Sequence, residues 1–123
     1  MDLQDRLSQG ACIVIAGDRT PATNQGHVSY VNFFGEPAPF AHGPWILASL
    51  LECPTYLLFC ASDKDLHYQL SIEKFADRIE LPRKGRAYCL DGYCSKYAQR
   101  LEYFAAQTPF QWFNFFDFWA KQK

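Results

Sequence analysis

From Ala11 to Gly17 the chain reads Ala-Cys-Ile-Val-Ile-Ala-Gly, six apolar residues and a glycine with no polar interruption. A run of this length, β-branched at its centre, predicts a strand covered on both faces, as in a parallel sheet. Before it, residues 3–9 predict a short helix closed by Gly10. After it comes a polar loop, Thr20 to His27, and then a second strand, Val28 to Gly35. The stretch Glu36 to Pro44 holds three prolines and predicts irregular chain. Pro44 directly after Gly43 suits the first turn of a helix, where a missing N–H costs nothing. The helix it opens, Pro-Trp-Ile-Leu-Ala-Ser-Leu-Leu-Glu, is apolar on nearly every side and is expected to be buried against a sheet. Cys53 and Pro54 end it, and Thr55 to Ala61 predicts another strand covered on both faces.

The order strand, loop, helix, strand predicts an α/β layer. Beyond it, Ser62 to Asp65 reads as a turn into an antiparallel edge strand with Tyr68, Leu70 and Ile72 on one face. Asp77 to Arg86 reads as a charged connection. Between Gly92 and Gln107, Tyr97, Ala98, Leu101, Phe104 and Ala105 form one apolar stripe at helical spacing. Pro109 then begins a last, very aromatic helix. Its segment Phe110 to Trp119 has seven aromatics in ten residues, with Gln111, Asn114 and Asp117 forming a polar band three residues apart. Such a surface fits a core or a bilayer interface with Trp112 and Trp119 at headgroup level.

Composition narrows the classes. One domain is expected from 123 residues, of which 49% are hydrophobic and 17% aromatic. Twelve Lys and Arg stand against thirteen Asp and Glu, so the chain lacks the basic field of a nucleic-acid binder. The five cysteines are odd in number, sit mostly in apolar runs and follow no secretory signal, which predicts reduced core thiols in the cytoplasm. Cys89 and Cys94 lack a second ligand pair, so no metal site is expected. No run approaches the ~18 apolar residues of a membrane span.

Three blocks, "VIAGDRTP", "FFGEPAPFAHGPWILASLLECPTYLLFC" and "YAQRLEYFAAQTPFQWFNFFDFW", stand in this order along residues 8–119. Together they resemble the C-terminal half of bacterial lysophospholipid acyltransferase-like proteins, in particular the lipid A late acyltransferases and the acyltransferases of aryl-polyene-type pathways. The resemblance implies a single partial domain over residues 1–123, a mixed, mostly parallel sheet flanked by helices. It implies transfer of a fatty acyl group, with no cofactor, from a thioester of acyl carrier protein or coenzyme A to the hydroxyl of a lipid or lipid-like acceptor. The family's general base is a histidine oriented by an acid in a His-x4-Asp or His-x4-Glu motif, upstream of the block matched by "GDRTP". Here Asn32, Leu47 and Ile72 stand five positions after His27, His42 and His67, so none has that partner. The chain is therefore expected to be inactive alone. The alternative is a non-catalytic binding module that docks with a separate chain supplying the missing half.

Asp18 and Arg19 fall just past the predicted first strand, where an α/β sheet places its chemistry. The resemblance gives them acceptor binding, with Thr20 and Pro21 shaping the loop. It also gives Gly35 and Gly43 a close backbone approach to substrate, and Phe40 a place lining the acyl channel. His42 lacks a carboxylate at the motif spacing and is not expected to act as a base. Arg78, Arg83, Lys84 and Arg86 form a basic cluster, read as a solvated connection ahead of a docking patch for an acidic carrier or anionic headgroups. A hydrolase built on one of the cysteines lacks any Cys/His arrangement. The expected location is the cytoplasm, peripheral on the inner face of the cytoplasmic membrane, with contact through Phe110 to Trp119.

Overall fold

The computed structural model describes residues 2–20 and 27–119; residues 1, 21–26 and 120–123 lie outside them. Strands β1 (Val28–Phe33) and β2 (Glu36–Ala41) are joined by Phe34 and Gly35, both at positive φ, 52° and 85°. Two successive residues of this kind make a type I′ turn, whose twist matches that of an antiparallel hairpin. Glycine adopts the geometry freely. Phe34 is held in it by the Glu102 carboxylate, which accepts its backbone N–H at 2.7 Å.

The irregular chain expected over Glu36 to Pro44 is thus a strand up to Ala41. The proline positions explain how. Pro37 and Pro39 pair with Asn32 and Tyr30, and the rung from His42 N–H to His27 C=O at 2.9 Å puts the hydrogen-bonded pairs at the alternate positions. Both prolines therefore turn their missing N–H away from β1. The outer edge of β2 lacks those two donors and cannot template a further strand.

The chain leaves this edge through helix α2 (Gly43–Leu51), which ends at Glu52 in the left-handed conformation with Pro54 behind it. It then starts a second sheet, in which β3 (Thr55–Ser62) pairs antiparallel with β4 (Tyr68–Ala76). Helix α1 (Leu3–Ser8) is capped by Asp2, and helix α3 (Arg86–Gln107) begins about three turns before Tyr97, the first residue of the predicted apolar stripe. The described residues form two two-stranded antiparallel sheets and three helices. This α+β arrangement overturns the expected mostly parallel sheet flanked by helices. Both hairpins close over short turns, whereas parallel pairing requires long crossovers. The crossover that does exist, through α2, joins strands in different sheets.

Other expectations change for related reasons. Residues 11–16 have no regular structure, and Val14 is 82% exposed, because no strand lies beside them among the described residues. β3 is covered on one face only: Leu57 is buried and Phe59 stacks on Phe104 of α3, while Tyr56 and Leu58 are exposed. The β4 residues Tyr68, Leu70 and Ile72 do share one face, and it is also exposed. Only Trp45 of α2 is buried. Of the five thiols, Cys94 is buried and Cys12 and Cys60 are exposed. The predicted last helix is a 3₁₀ turn, Pro109–Gln111, followed by irregular chain. The Phe113 carbonyl, which a helix would spend on an amide four residues on, instead accepts from Arg19 at 2.7 Å.

The core is an aromatic cluster centred on Phe33, which is 0% exposed. Its ring lies 4.8 to 5.8 Å from those of Phe34, Phe40, Trp112, Phe118 and Trp119. A second group has Trp45 stacked on Phe75 at 4.9 Å and edge-on to Tyr97 at 5.8 Å. Tyr97 in turn meets Phe40, which joins the two groups. Removing the Phe33 ring leaves a cavity that five rings cannot all close. Phe33→Ala is expected to cost about 3–5 kcal/mol in urea unfolding and Phe33→Leu clearly less.

Candidate functional site

Asp18 and Arg19 sit on the chain that follows the exposed apolar segment, and the C-terminal aromatic segment holds them there. The Trp112 indole N–H donates to the Asp18 carboxylate at 3.1 Å. The Arg19 guanidinium donates to the Phe113 carbonyl, lies 3.4 Å from Asp18 and stands 5.7 Å from the centre of the Phe116 ring. The Asp18 side chain is 20% exposed and that of Arg19 45%, so both present polar atoms to solvent from an aromatic bed.

Gly17 and Tyr97 set this position. A Cβ on Gly17 would lie 3.0 Å from the Tyr97 ring and hydroxyl, so only glycine lets the backbone come so close. Burial pushes the Tyr97 hydroxyl well above the usual phenol range, with the Asp18 carboxylate adding to the effect and Arg19 opposing it. The hydroxyl therefore stays protonated. Neither Tyr97 nor Trp112 was legible as a partner of Asp18 in the sequence, and the only local signal was the glycine before the acid.

The remaining predicted site residues divide. Thr20 adjoins Arg19, and Pro21 lies outside the described residues. Phe40 is fully buried and packs on Tyr97, Phe33 and Phe118, so it meets the Asp18 region only through intervening rings. Gly35 and Gly43 flank the opposite ends of β2, eight residues and up to roughly 26 Å apart at ~3.3 Å per extended residue, so they share no site. Of the basic cluster, Arg78 pairs with Glu52 at 2.5 Å, and Arg83, Lys84 and Arg86 are exposed around the start of α3. Asp63, Asp65 and His67 bring ligand-type atoms within 4.8 Å of one another. Their contacts close the β3–β4 turn, since one Asp63 oxygen accepts the backbone N–H groups of Asp65 and His67 at 2.9 and 3.0 Å.

Ser29, His42 and Asp91 also converge, from β1, the start of α2 and α3. Ser29, 3% exposed, contacts His42 Nε2 at 2.7 Å and donates to the Asp91 carboxylate. A carboxylate has no proton to give, so the serine proton goes to Asp91 and His42 Nε2–H donates to the serine oxygen. A nucleophilic triad needs the histidine between serine and acid. Here the serine is the middle member, with its proton and a lone pair engaged. The trio ties three elements together and leaves no activated nucleophile. Burial holds the His42 imidazole below its usual range, against the pull of Asp91. Burial also raises the adjacent Cys94 thiol. Among the described residues no helix is long and apolar enough to cross a membrane.

Two tests follow from this geometry. Gly17→Ala is expected to cost about 1–3 kcal/mol through overpacking against Tyr97. Gly43→Ala, which meets open space at ordinary φ, should be neutral or slightly stabilising, and urea midpoints compare the two. His42 is depressed on folding, so its contribution is complete above the unfolded value of 6.5 and declines as pH falls from there through the lower folded value. Asp63 and Glu73 lose theirs only in the carboxylate range. His42→Gln should flatten the stability profile just below pH ~6.5 and leave the acidic limb in place.

Comparison with known proteins finds no protein-family model and no curated protein that matches the chain. The resemblance to lysophospholipid acyltransferases accordingly has the quoted sequence blocks as its whole support.

Proposed function

We propose that the chain is the acceptor-binding part of an acyltransferase that moves a fatty acyl group from a thioester of acyl carrier protein or coenzyme A to the hydroxyl of a lipid-like acceptor. Its place is the inner face of the cytoplasmic membrane. In this reaction the acceptor oxygen attacks the thioester carbonyl, the C–S bond breaks as the C–O bond forms, and the hydroxyl proton passes through a base to the leaving thiolate. The observation that carries the reading is the Asp18–Arg19 pair set into an aromatic surface. One carboxylate and one guanidinium beside apolar rings suit a molecule with a polar head and an apolar body.

The division of labour follows from the side chains. Asp18 keeps acceptor capacity beyond its bond from Trp112 and can take a hydrogen bond from the acceptor hydroxyl. Arg19 has five N–H donors and can meet an anionic or carbonyl oxygen. Among the described residues no histidine touches either of them, and His42 Nε2 is spent on Ser29. The base is therefore supplied by a partner region, and the chain turns over nothing alone. Phe110 and Phe115, 94% and 92% exposed, support peripheral contact with lipid through the same segment. The indole N–H groups of Trp112 and Trp119 instead face inward, to Asp18 and to the Phe33 carbonyl. The binding-module alternative is favoured by the exposed apolar face of Tyr56, Leu58, Leu70 and Ile72, more than a hairpin leaves uncovered without a use.

Titration of the chain with a monoacylglycerol, followed by tryptophan emission, tests the acceptor site. Asp18→Asn and Arg19→Ala should each weaken binding by about tenfold or more, the worth of a hydrogen bond to a charged group. Equal affinity in both variants would sink the assignment. With radiolabelled acyl-coenzyme A and the same acceptor, no ester should form, and product from the chain alone would refute dependence on a partner.

A further inference from the structure

Between the inward face of the β3–β4 hairpin and the C-terminal end of α3 lies a cavity of about 210 Å³ that opens to solvent. Phe59, Leu101, Phe104 and Ala105 give it an apolar floor, and the Phe59 and Phe104 rings stack at 4.1 Å. No lining residue carries a formal charge, although one residue in five of the chain does. Its polar side chains are partly occupied elsewhere. Gln111 spans the end of β3, donating to the Ser62 carbonyl and accepting from the Ser62 N–H, both at 2.7 Å. The Thr108 hydroxyl donates to the Phe104 carbonyl at 3.3 Å. Such a lining offers no counter-charge to an ionic ligand and a large area to an apolar one.

Two further features narrow the ligand. The volume is below the ~300–1,000 Å³ of pockets that enclose a whole drug-sized molecule, so the groove suits part of a ligand. Trp112 forms one wall of the groove, and its indole N–H points to Asp18. The groove and the Asp18–Arg19 pair are thus separated by one indole. The geometry points to the groove as the subsite for the alkyl chain of the acceptor whose polar head meets Asp18 and Arg19. This rests on the acceptor reading above for the head, while the groove's own chemistry selects the chain.

The probe is 10-bromodecan-1-ol, whose bromine quenches indole fluorescence on contact. Saturable quenching is expected in the native chain and its loss in Trp112→Phe. Ser71→Leu, which fills the groove from β4, should raise Kd about tenfold or more without lowering the urea midpoint. Nuclear Overhauser contacts from the probe methylenes to the Ala61 and Ala105 methyls provide a readout that needs no variant. Arg19→Ala should weaken binding of a monoacylglycerol, whose ester carbonyl is the oxygen Arg19 meets, several-fold more than that of the bromoalcohol, which has no carbonyl. If that last contrast fails while the groove contacts persist, the head site is wrong and the chain subsite stands. Absence of contacts to Ala61 and Ala105, an unchanged Kd in Ser71→Leu, or loss of binding in Phe113→Ser with Phe115→Ser would overturn the subsite.

Discussion

The packing of Phe33 among five other rings is the constraint on which the rest of the molecule depends. It fixes the β1–β2 hairpin to the C-terminal segment, and through Trp112 that segment fixes Asp18. Dispersion and apolar burial therefore position the charged pair, and the pair's own attraction contributes little because both groups reach solvent. The same cluster dictates which aromatics face outward. With Trp112 and Phe118 committed to Phe33, the intervening Phe113, Phe115 and Phe116 are left on the surface.

How much of this was legible in the sequence depends on how local each cause is. The α3 stripe and the β4 face rest on spacings of a few residues, and the sequence displays them, whereas the turn at Phe34 and Gly35 falls inside a stretch that reads as one continuous strand. Sheet membership does not rest on such spacings. The run Ala11 to Gly17 has the composition of a covered strand, but a strand exists only beside another, and none of the described residues provides that neighbour. The prolines of β2 misled in the other direction, because proline excludes a residue from one edge of a ladder and not from the strand itself. A strand-helix-strand order suggested parallel pairing, and those same edge prolines prevent it.

The site shows a similar division. That an acid and a base adjoin at the end of an apolar run is visible in eight letters of sequence. That the acid meets Trp112, 94 residues away, is not, since nothing at either position signals the other. The Ser29–His42–Asp91 trio gives the complementary lesson. Three residue types associated with hydrolysis meet in space, and only the order of the hydrogen bonds reveals a structural role.

The aromatic clasp also ranks the steps by which the molecule forms. The hairpins close over two and five residues, whereas the bonds from Trp112 to Asp18 and from Trp119 to Phe33 span 94 and 86. Loop-closure entropy grows as (3/2)RT ln n, so the clasp costs roughly 2–3 kcal/mol more to close than a five-residue turn. Contacts of such high contact order are made late in folding. That cost is offset by the burial of Phe118 and by the contacts of the Trp112 and Trp119 rings with Phe33. Detachment of the C-terminal segment would uncover Phe33 and take Trp112 out of the groove wall. The groove is thus complete only once the slowest-forming contacts of the fold are in place.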